Sequence, residues 1–166
     1  MSLESARLAL PFIAAGQAQK ELTHNEALAL IDVGLAAAAE SAGLDEPPAA
    51  PVASQCWVVG AAPTGLWAGH ADDLACWTES GWRFLPAVEG MTVWLKAQRL
   101  WAVREAEGWA IGGVRGDRLV VDGVQVVGAR GAPVAAPAGG SVIDAEARSA
   151  IEAILDRLIA HGLIGG

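Results

Sequence analysis

The apolar positions of the N-terminal third recur at the spacing of an amphipathic helix. Leu28, Ile31 and Leu35 fall on one face of such a helix, after an extended or turned arm that covers residues 10–22. Thr23 and Glu26 have the spacing of a capping box, in which each side chain bonds the backbone amide of the other. The pattern therefore predicts a helix that begins after Thr23 and ends by residue 43.

From residue 55 to residue 127 the pattern changes to short apolar runs separated by glycine-containing turns. Runs of three to six residues at this regular spacing are typical of antiparallel β structure. The strongest hairpin signal is Asp122-Gly123 between two valine-rich runs, because both turn residues must accept a positive φ. The predicted fold is mainly β, a small Trp-rich antiparallel barrel or meander, with an N-terminal capped helix and a C-terminal helix.

The C-terminal segment returns to helical spacing. Asp144 is a predicted N-cap, and Gly162 is a predicted left-handed stop. Between them Ala147, Ile151, Ile154, Leu158 and His161 follow the 4-3-4-3 spacing of a coiled-coil seam, and Ile at seam positions favours trimers. Two interpretations stay open here: the helix joins a short trimeric bundle, or it packs on its own β domain.

Proline-rich and glycine-rich stretches divide the chain into five predicted segments. The N-terminal and C-terminal helical segments are expected to serve assembly, and two linkers flank the β domain. In order, the segments are an arm and helix at 1–43, a Pro-rich linker at 44–54, the β domain at 55–127, a Gly/Ala/Pro linker at 128–140 and a helix at 141–166.

Composition favours an oligomer and excludes several partners. The net charge of −8 argues against nucleic-acid binding by counterion release and against contact with anionic membranes. No run reaches the roughly 18 apolar residues of a membrane span, and no basic region followed by an apolar core marks a secretory signal. Since 53% of residues are nonetheless hydrophobic, we expect apolar surface buried between subunits of a trimer or ring. The predicted interface residues are Leu28, Ile31, Leu35, Ile151, Ile154 and Leu158.

The aromatic residues offer one candidate binding site. Seven tryptophans and no tyrosine are present, and an indole face can stack on a pyranose ring. The candidate sugar-stacking residues are Trp57, Trp67, His70, Asp72, Trp77 and Trp82. The alternative is that a small β domain uses tryptophan as core filler.

The sequence gives no sign of catalysis. His70 and its neighbouring aspartates lack a third ligand at metal-binding spacing, and no paired-carboxylate signature of a glycosidase is present. Cys56 and Cys76 have no CxxC pattern, so they are expected to be buried, reduced thiols. No catalytic residue, cofactor or metal is predicted.

The stretch from Pro11 to Asp32 reads P-F-I-x-x-G-Q-A-Q-K-E-x-T-H-N-E-A-L-x-x-I-D. It resembles the opening signature of an uncharacterised family of phage and prophage proteins, found also in gene transfer agents, in tail-fibre and head-spike components. The similarity continues through the tryptophan-containing segments near residues 57, 67, 77 and 82, and covers roughly residues 8 to 112.

The resemblance implies a particle component at the cell-contacting periphery, and not an enzyme. It implies other particle structural proteins as partners, and a location in a virion or phage-like particle made in the bacterial cytoplasm. Many members have further fibre-like segments after the β domain, whereas in this sequence a single helix follows it. The chain is therefore expected to be a head-spike base or a short fibre or adaptor. The alternative function is a carbohydrate-binding module that recognises capsular or surface polysaccharide.

Overall fold

The computed structural model describes residues 3–16, 18–142 and 144–165, and these form a mainly β protein with a helix near each end, as predicted. None of the described helices is both long and apolar enough to cross a membrane. The helices are α1 (Lys20–Gly34), a 3-10 turn (Gly65–Trp67) and α2 (Ala145–Ala160). The strands are β1 (Ala38–Ala39), β2 (Ala42–Leu44), β3 (Cys56–Val59), β4 (Leu74–Thr78), β5 (Gly81–Leu85), β6 (Thr92–Leu95), β7 (Leu100–Glu105), β8 (Gly108–Ile111), β9 (Leu119–Val121) and β10 (Val124–Val127).

The chain forms two compact units, Met1–Gly113 and Val114–Gly166. This division differs from the five predicted segments in two places. Residues 38–43, expected to belong to the N-terminal assembly segment, and Leu44, expected to begin the Pro-rich linker, supply strands to both sheets of the first unit. The predicted Asp-Gly hairpin, β9 and β10, lies in the second unit and not with the tryptophan-rich strands.

The first unit contains two four-stranded sheets, ordered β1-β6-β7-β8 and β2-β3-β4-β5. In each sheet a short strand that follows α1 pairs in parallel, and the remaining pairs are antiparallel. Neither sheet closes on itself within the described residues. Of the two predicted alternatives, the structure therefore has the open meander and not the barrel. Val93 and Leu95 alternate with Thr92 and Trp94 along β6, which places the aliphatic side chains in the core and Trp94 on the opposite face.

The capping box predicted at Thr23 is wrong. α1 begins three residues earlier, at Lys20, after Ala18 and Gln19 adopt positive φ values of 57° and 68° and turn the arm into the helix. Thr23 therefore lies inside the helix. The Glu26 carboxylate is directed away from its own helix, 2.8 Å from the Arg83 guanidinium on β5.

The helix was predicted to fade over residues 36–39 and to end by residue 43, and it ends earlier, at Gly34. Leu35 donates the last helical hydrogen bond, to Ile31, and the positive φ of Ala36 then redirects the chain. Ala38 and Ala39 pair with Trp94 and Leu95 as β1. Alanine has a high helix propensity, but here tertiary pairing and the complete burial of Ala39 override it.

The local signals of the second unit are confirmed. Asp122 and Gly123 both have positive φ and join β9 to β10. Asp144 caps α2 by accepting a 2.8 Å hydrogen bond from the Ala147 amide. At the other end Gly162 is left-handed, and the amides of Gly162 and Leu163 each lie 2.9 Å from the helical carbonyls of Ile159 and Leu158, which is a Schellman motif.

Candidate functional site

The opening motif forms an ordered arm that doubles back on itself before entering α1. The amide of Phe12 donates to the Leu3 carbonyl at 2.7 Å, and the amide of Ser5 donates to the Leu10 carbonyl at 2.9 Å. Residues 3–12 thus form a short loop that lies against the helix. Gln17 of the motif lies outside the described residues.

The buried carboxylate of Asp32 fixes this arm to the helix. Its side chain, only 3% exposed, accepts hydrogen bonds from the Ser5 hydroxyl (2.7 Å), the Leu8 amide (2.6 Å) and the Arg7 amide (3.0 Å). A buried carboxylate costs free energy unless it is hydrogen-bonded, and here all three donors come from the arm. The position of the arm therefore depends on the Asp32 side chain as its acceptor.

Arg7 adds a second attachment at the end of α1. Its guanidinium donates to the carbonyls of Asp32, Val33 and Ala36 at 3.0, 2.8 and 2.9 Å. The last carbonyls of a helix have no partner within the helix, and the C-terminal end of the macrodipole favours a cation. The arm thus supplies the cap for the helix that it packs on.

Asn25 provides a third attachment, halfway along the helix. Its side-chain oxygen accepts from the Ile13 amide at 2.9 Å, and its side-chain nitrogen donates to the Ile13 carbonyl at 3.0 Å. This bidentate pair satisfies both backbone groups of Ile13, as a neighbouring strand would. The polar residues Asn25, Glu26 and Asp32 of the motif therefore hold the arm and the helix in place.

Between the arm, α1 and the β4–β5 turn lies a cleft of about 440 Å³. This volume falls within the roughly 300–1,000 Å³ of small-ligand sites. The charged residues that line the cleft are Glu4, Glu21, Glu26, Asp32, Glu79 and Arg83. The apolar lining includes Leu3, Phe12, Ile13, Leu22, Ala29 and Val33. The cleft can accept one or two apolar side chains of another molecule, and residues of the 11–32 motif supply half of its lining.

The tryptophans predicted to stack on sugars form a packed cluster instead. Trp67 is completely buried and lies edge-to-face on Trp82, with ring centroids 5.2 Å apart and planes at 82°. Trp57 is also buried, and Trp77 packs edge-to-face on Trp82 at 5.0 Å. Since a stacked sugar needs an exposed indole face, this burial argues against the ligand role predicted for Trp57 and Trp67, and favours the core-filler interpretation.

The polar residues of the predicted sugar site hold the loop that precedes β4. His70 is 2.9 Å from the Asp73 carboxylate and stacks on Phe84, with ring centroids 3.6 Å apart. The backbone carbonyl of Asp72 accepts from the Trp109 indole at 2.8 Å, and its carboxylate is 3.6 Å from Arg104. Within the described residues, no group of three or more His, Cys, Asp or Glu side chains could hold a metal ion.

Sequence reasoning missed the most exposed aromatic residue of the first unit. Trp101 on β7 is 49% exposed and lies directly across from Trp94 on β6, with ring centroids 5.1 Å apart. Both project from the face opposite the core residues Val93 and Ala102. The alternation along β6 was the signal that could have placed Trp94 outward.

The predicted interface residues lie at or near the surface. On α1, Ile31 and Leu35 are exposed and border a shallow apolar groove with Leu85, whereas Leu28 is half-buried. On α2, Ile151 and Ile154 are exposed and Leu158 is half-buried. Both sets remain predictions of assembly.

The two cysteines are buried, as predicted, and lie directly opposite each other on β3 and β4. The hydrogen bond between the thiols lowers the pKa of Cys56. The same hydrogen bond, together with burial, raises the pKa of Cys76. Both fill the core as small apolar side chains, and Cys76 also borders the cleft.

A family model described as "Protein of unknown function (DUF2793)" matches residues 24–110, which is more than half of the chain. The chain belongs to the DUF2793 family. The DUF2793 match begins inside α1 and ends in β8, so it covers both sheets of the first unit and five of the seven α1 residues that line the cleft. No curated protein and no solved structure matches the chain significantly.

Proposed function

We propose that this DUF2793 protein is a non-enzymatic structural component of a phage-like particle, such as a gene transfer agent or phage. Within the particle it acts as a head-spike base or as a short fibre or adaptor for attachment to the host surface. The observation that carries the proposal is the use of the opening motif: Asn25, Glu26 and Asp32 form bonds that position an arm and a helix. We therefore assign the motif a structural role and a role in docking to other proteins.

The cleft between the arm and α1 is the surface through which the protein joins the particle. Its lining of apolar and carboxylate side chains suits an apolar segment of another particle protein that also carries basic residues. Leu22 lines this cleft and is exposed, so a charge at this position would block docking with little effect on the fold.

The test is incorporation into particles in cells that produce them. Particles purified from a strain carrying only Leu22→Asp should lack the protein, whereas particles from an Ala27→Asp strain should contain it. Ala27 is an exposed residue on the same helix and does not line the cleft. Particles with the wild-type chain should carry antibody label at a spike or tail tip, and particles without it should adsorb poorly to host cells. Purified particles that contain none of the wild-type protein would refute the proposal.

Carbohydrate binding is a second candidate function, favoured by the exposed indole of Trp101 beside Trp94. An exposed aromatic face on a rigid strand can stack on a sugar ring of capsular or surface polysaccharide. Trp101→Ala should abolish glycan-array signals. Leu100→Ala, at the neighbouring position, which is also exposed, should preserve them. Equal array signals for wild type and Trp101→Ala would exclude this site.

A further inference from the structure

The second unit has secondary structure but no core of its own. None of its described residues is buried, although it contains a hairpin, a capped 16-residue helix and a pairing of Gly131 with Ile164. All six aliphatic residues of the hairpin are 42 to 64% exposed: Leu119, Val120, Val121, Val124, Val126 and Val127. An isolated two-stranded hairpin is only marginally stable in water, so these side chains need a partner to bury them.

We infer that further copies of this chain cover the second unit, and that their α2 helices form a trimeric bundle. Ile151, Ile154 and Leu158 recur at seam spacing on α2, with Ile151 and Ile154 exposed. A seam with Ile at both core positions favours three strands over two. The hairpins would pack beside this bundle and bury the valine faces.

The exposed area is large enough for such an assembly. Besides the six hairpin residues, Val134, Val142, Ile151, Ile154 and Leu163 are 44 to 90% exposed. Together these eleven side chains offer an apolar area on the order of the roughly 800 Å² that each partner buries in a stable interface. A unit with this much exposed apolar surface fits an obligate interface, in which folding and association are coupled.

The charge of the second unit and the presence of identical chains during synthesis favour a copy of the same chain as the partner. The second unit has five basic and six acidic residues, whereas the first has six basic and thirteen acidic residues. Copies of the nearly neutral second unit therefore meet without the repulsion that copies of the first unit would experience. A segment that folds only on association also needs its partner when it is made, and the same chain is always present then.

The experiment is light scattering of the purified full chain across a concentration series, with two double variants. Wild type should have three times the 17.0 kDa mass of one chain. Ile151→Asp with Leu158→Asp should reduce the mass to that of one chain. The matched control, Ser149→Asp with Ala153→Asp, adds the same charge to the opposite face of α2 and should keep the trimer.

Tryptophan emission separates dissociation from general unfolding, because all seven tryptophans lie in the first unit. The seam variant should keep the wild-type emission spectrum while amide exchange of residues 119–127 becomes at least tenfold faster. A monomeric wild-type chain would overturn the inference, and so would an unchanged mass in the seam variant. These outcomes do not depend on particle incorporation, which the Leu22 variant tests.

Discussion

The two units of this protein differ in what stabilises them. In the first unit, two sheets bury a continuous set of apolar side chains, and a buried carboxylate fixes the arm. In the second, a hairpin and a helix have well-formed turns and caps, but no described side chain is buried. Local signals thus determine where the elements begin and end, whereas only burial can supply most of the free energy that stabilises a fold.

The sharpest way to test this comparison is to remove a large core side chain from the first unit. Trp67→Ala should lower the free energy of unfolding by about 4 kcal/mol, because the indole is completely buried among Trp57 and Trp82 and leaves a cavity. The measurement is urea denaturation followed by far-UV circular dichroism. Val126→Ala in the exposed hairpin is the control, measured in the monomeric seam variant, and should change the value by less than about 0.5 kcal/mol. Comparable losses at the two positions would contradict the contrast between the units.

Asp32 tests whether polar attachment contributes as much to the first unit as apolar burial. Asp32→Ala should lower the free energy of unfolding by about 3 kcal/mol, since it leaves three arm donors without their acceptor. Proteolysis between residues 3 and 16 should also accelerate. The control is Glu89→Ala, at an exposed carboxylate of the same unit, which should behave like wild type. An arm that stays protected in Asp32→Ala would mean that Arg7 and Asn25 are sufficient to hold it.

Within the second unit, the cap of α2 should have a smaller and local effect. Asp144→Ala removes the acceptor for the Ala147 amide and should destabilise the helix by about 1 kcal/mol. Amide exchange in the first turns of α2 should become about fivefold faster, with no change in the first unit. Glu152→Ala, which changes a carboxylate in the middle of the same helix, is the comparison. Equal exchange rates in the two variants would mean that the cap contributes nothing measurable.

The sequence predicted best those features that depend on a few neighbouring residues. The Asp122-Gly123 turn, the Asp144 cap and the Gly162 stop each depend on the conformational preference of the residue at that position. The prediction failed where residues distant in the sequence determine the secondary structure. Ala38 and Ala39 read as helix until β6 is available to pair with them.

The same limit applies to the candidate sites. Trp67 is buried and Trp101 is exposed. The sequence alone does not distinguish them, because their exposure depends on how the two sheets pack. The arm could not be placed either, because the partners of Asp32 lie 24 to 27 residues away along the chain. The family resemblance gives no physical reason for the polar residues of the motif. The hydrogen bonds of Asp32 and Asn25 to the arm provide one.

Thr23 gives the smallest expected effect and tests this distinction directly. Read from the sequence, Thr23→Ala would remove a helix cap and cost about 1 kcal/mol. In the structure Thr23 is an exposed residue inside α1, where alanine has the higher helix propensity, so the variant should be equal to wild type or more stable by up to about 0.7 kcal/mol. Thr23→Gly is the control and should be less stable than Thr23→Ala by about 1 kcal/mol. Because the two interpretations predict opposite signs, a loss of stability in Thr23→Ala would place the start of α1 at Thr23 and not at Lys20.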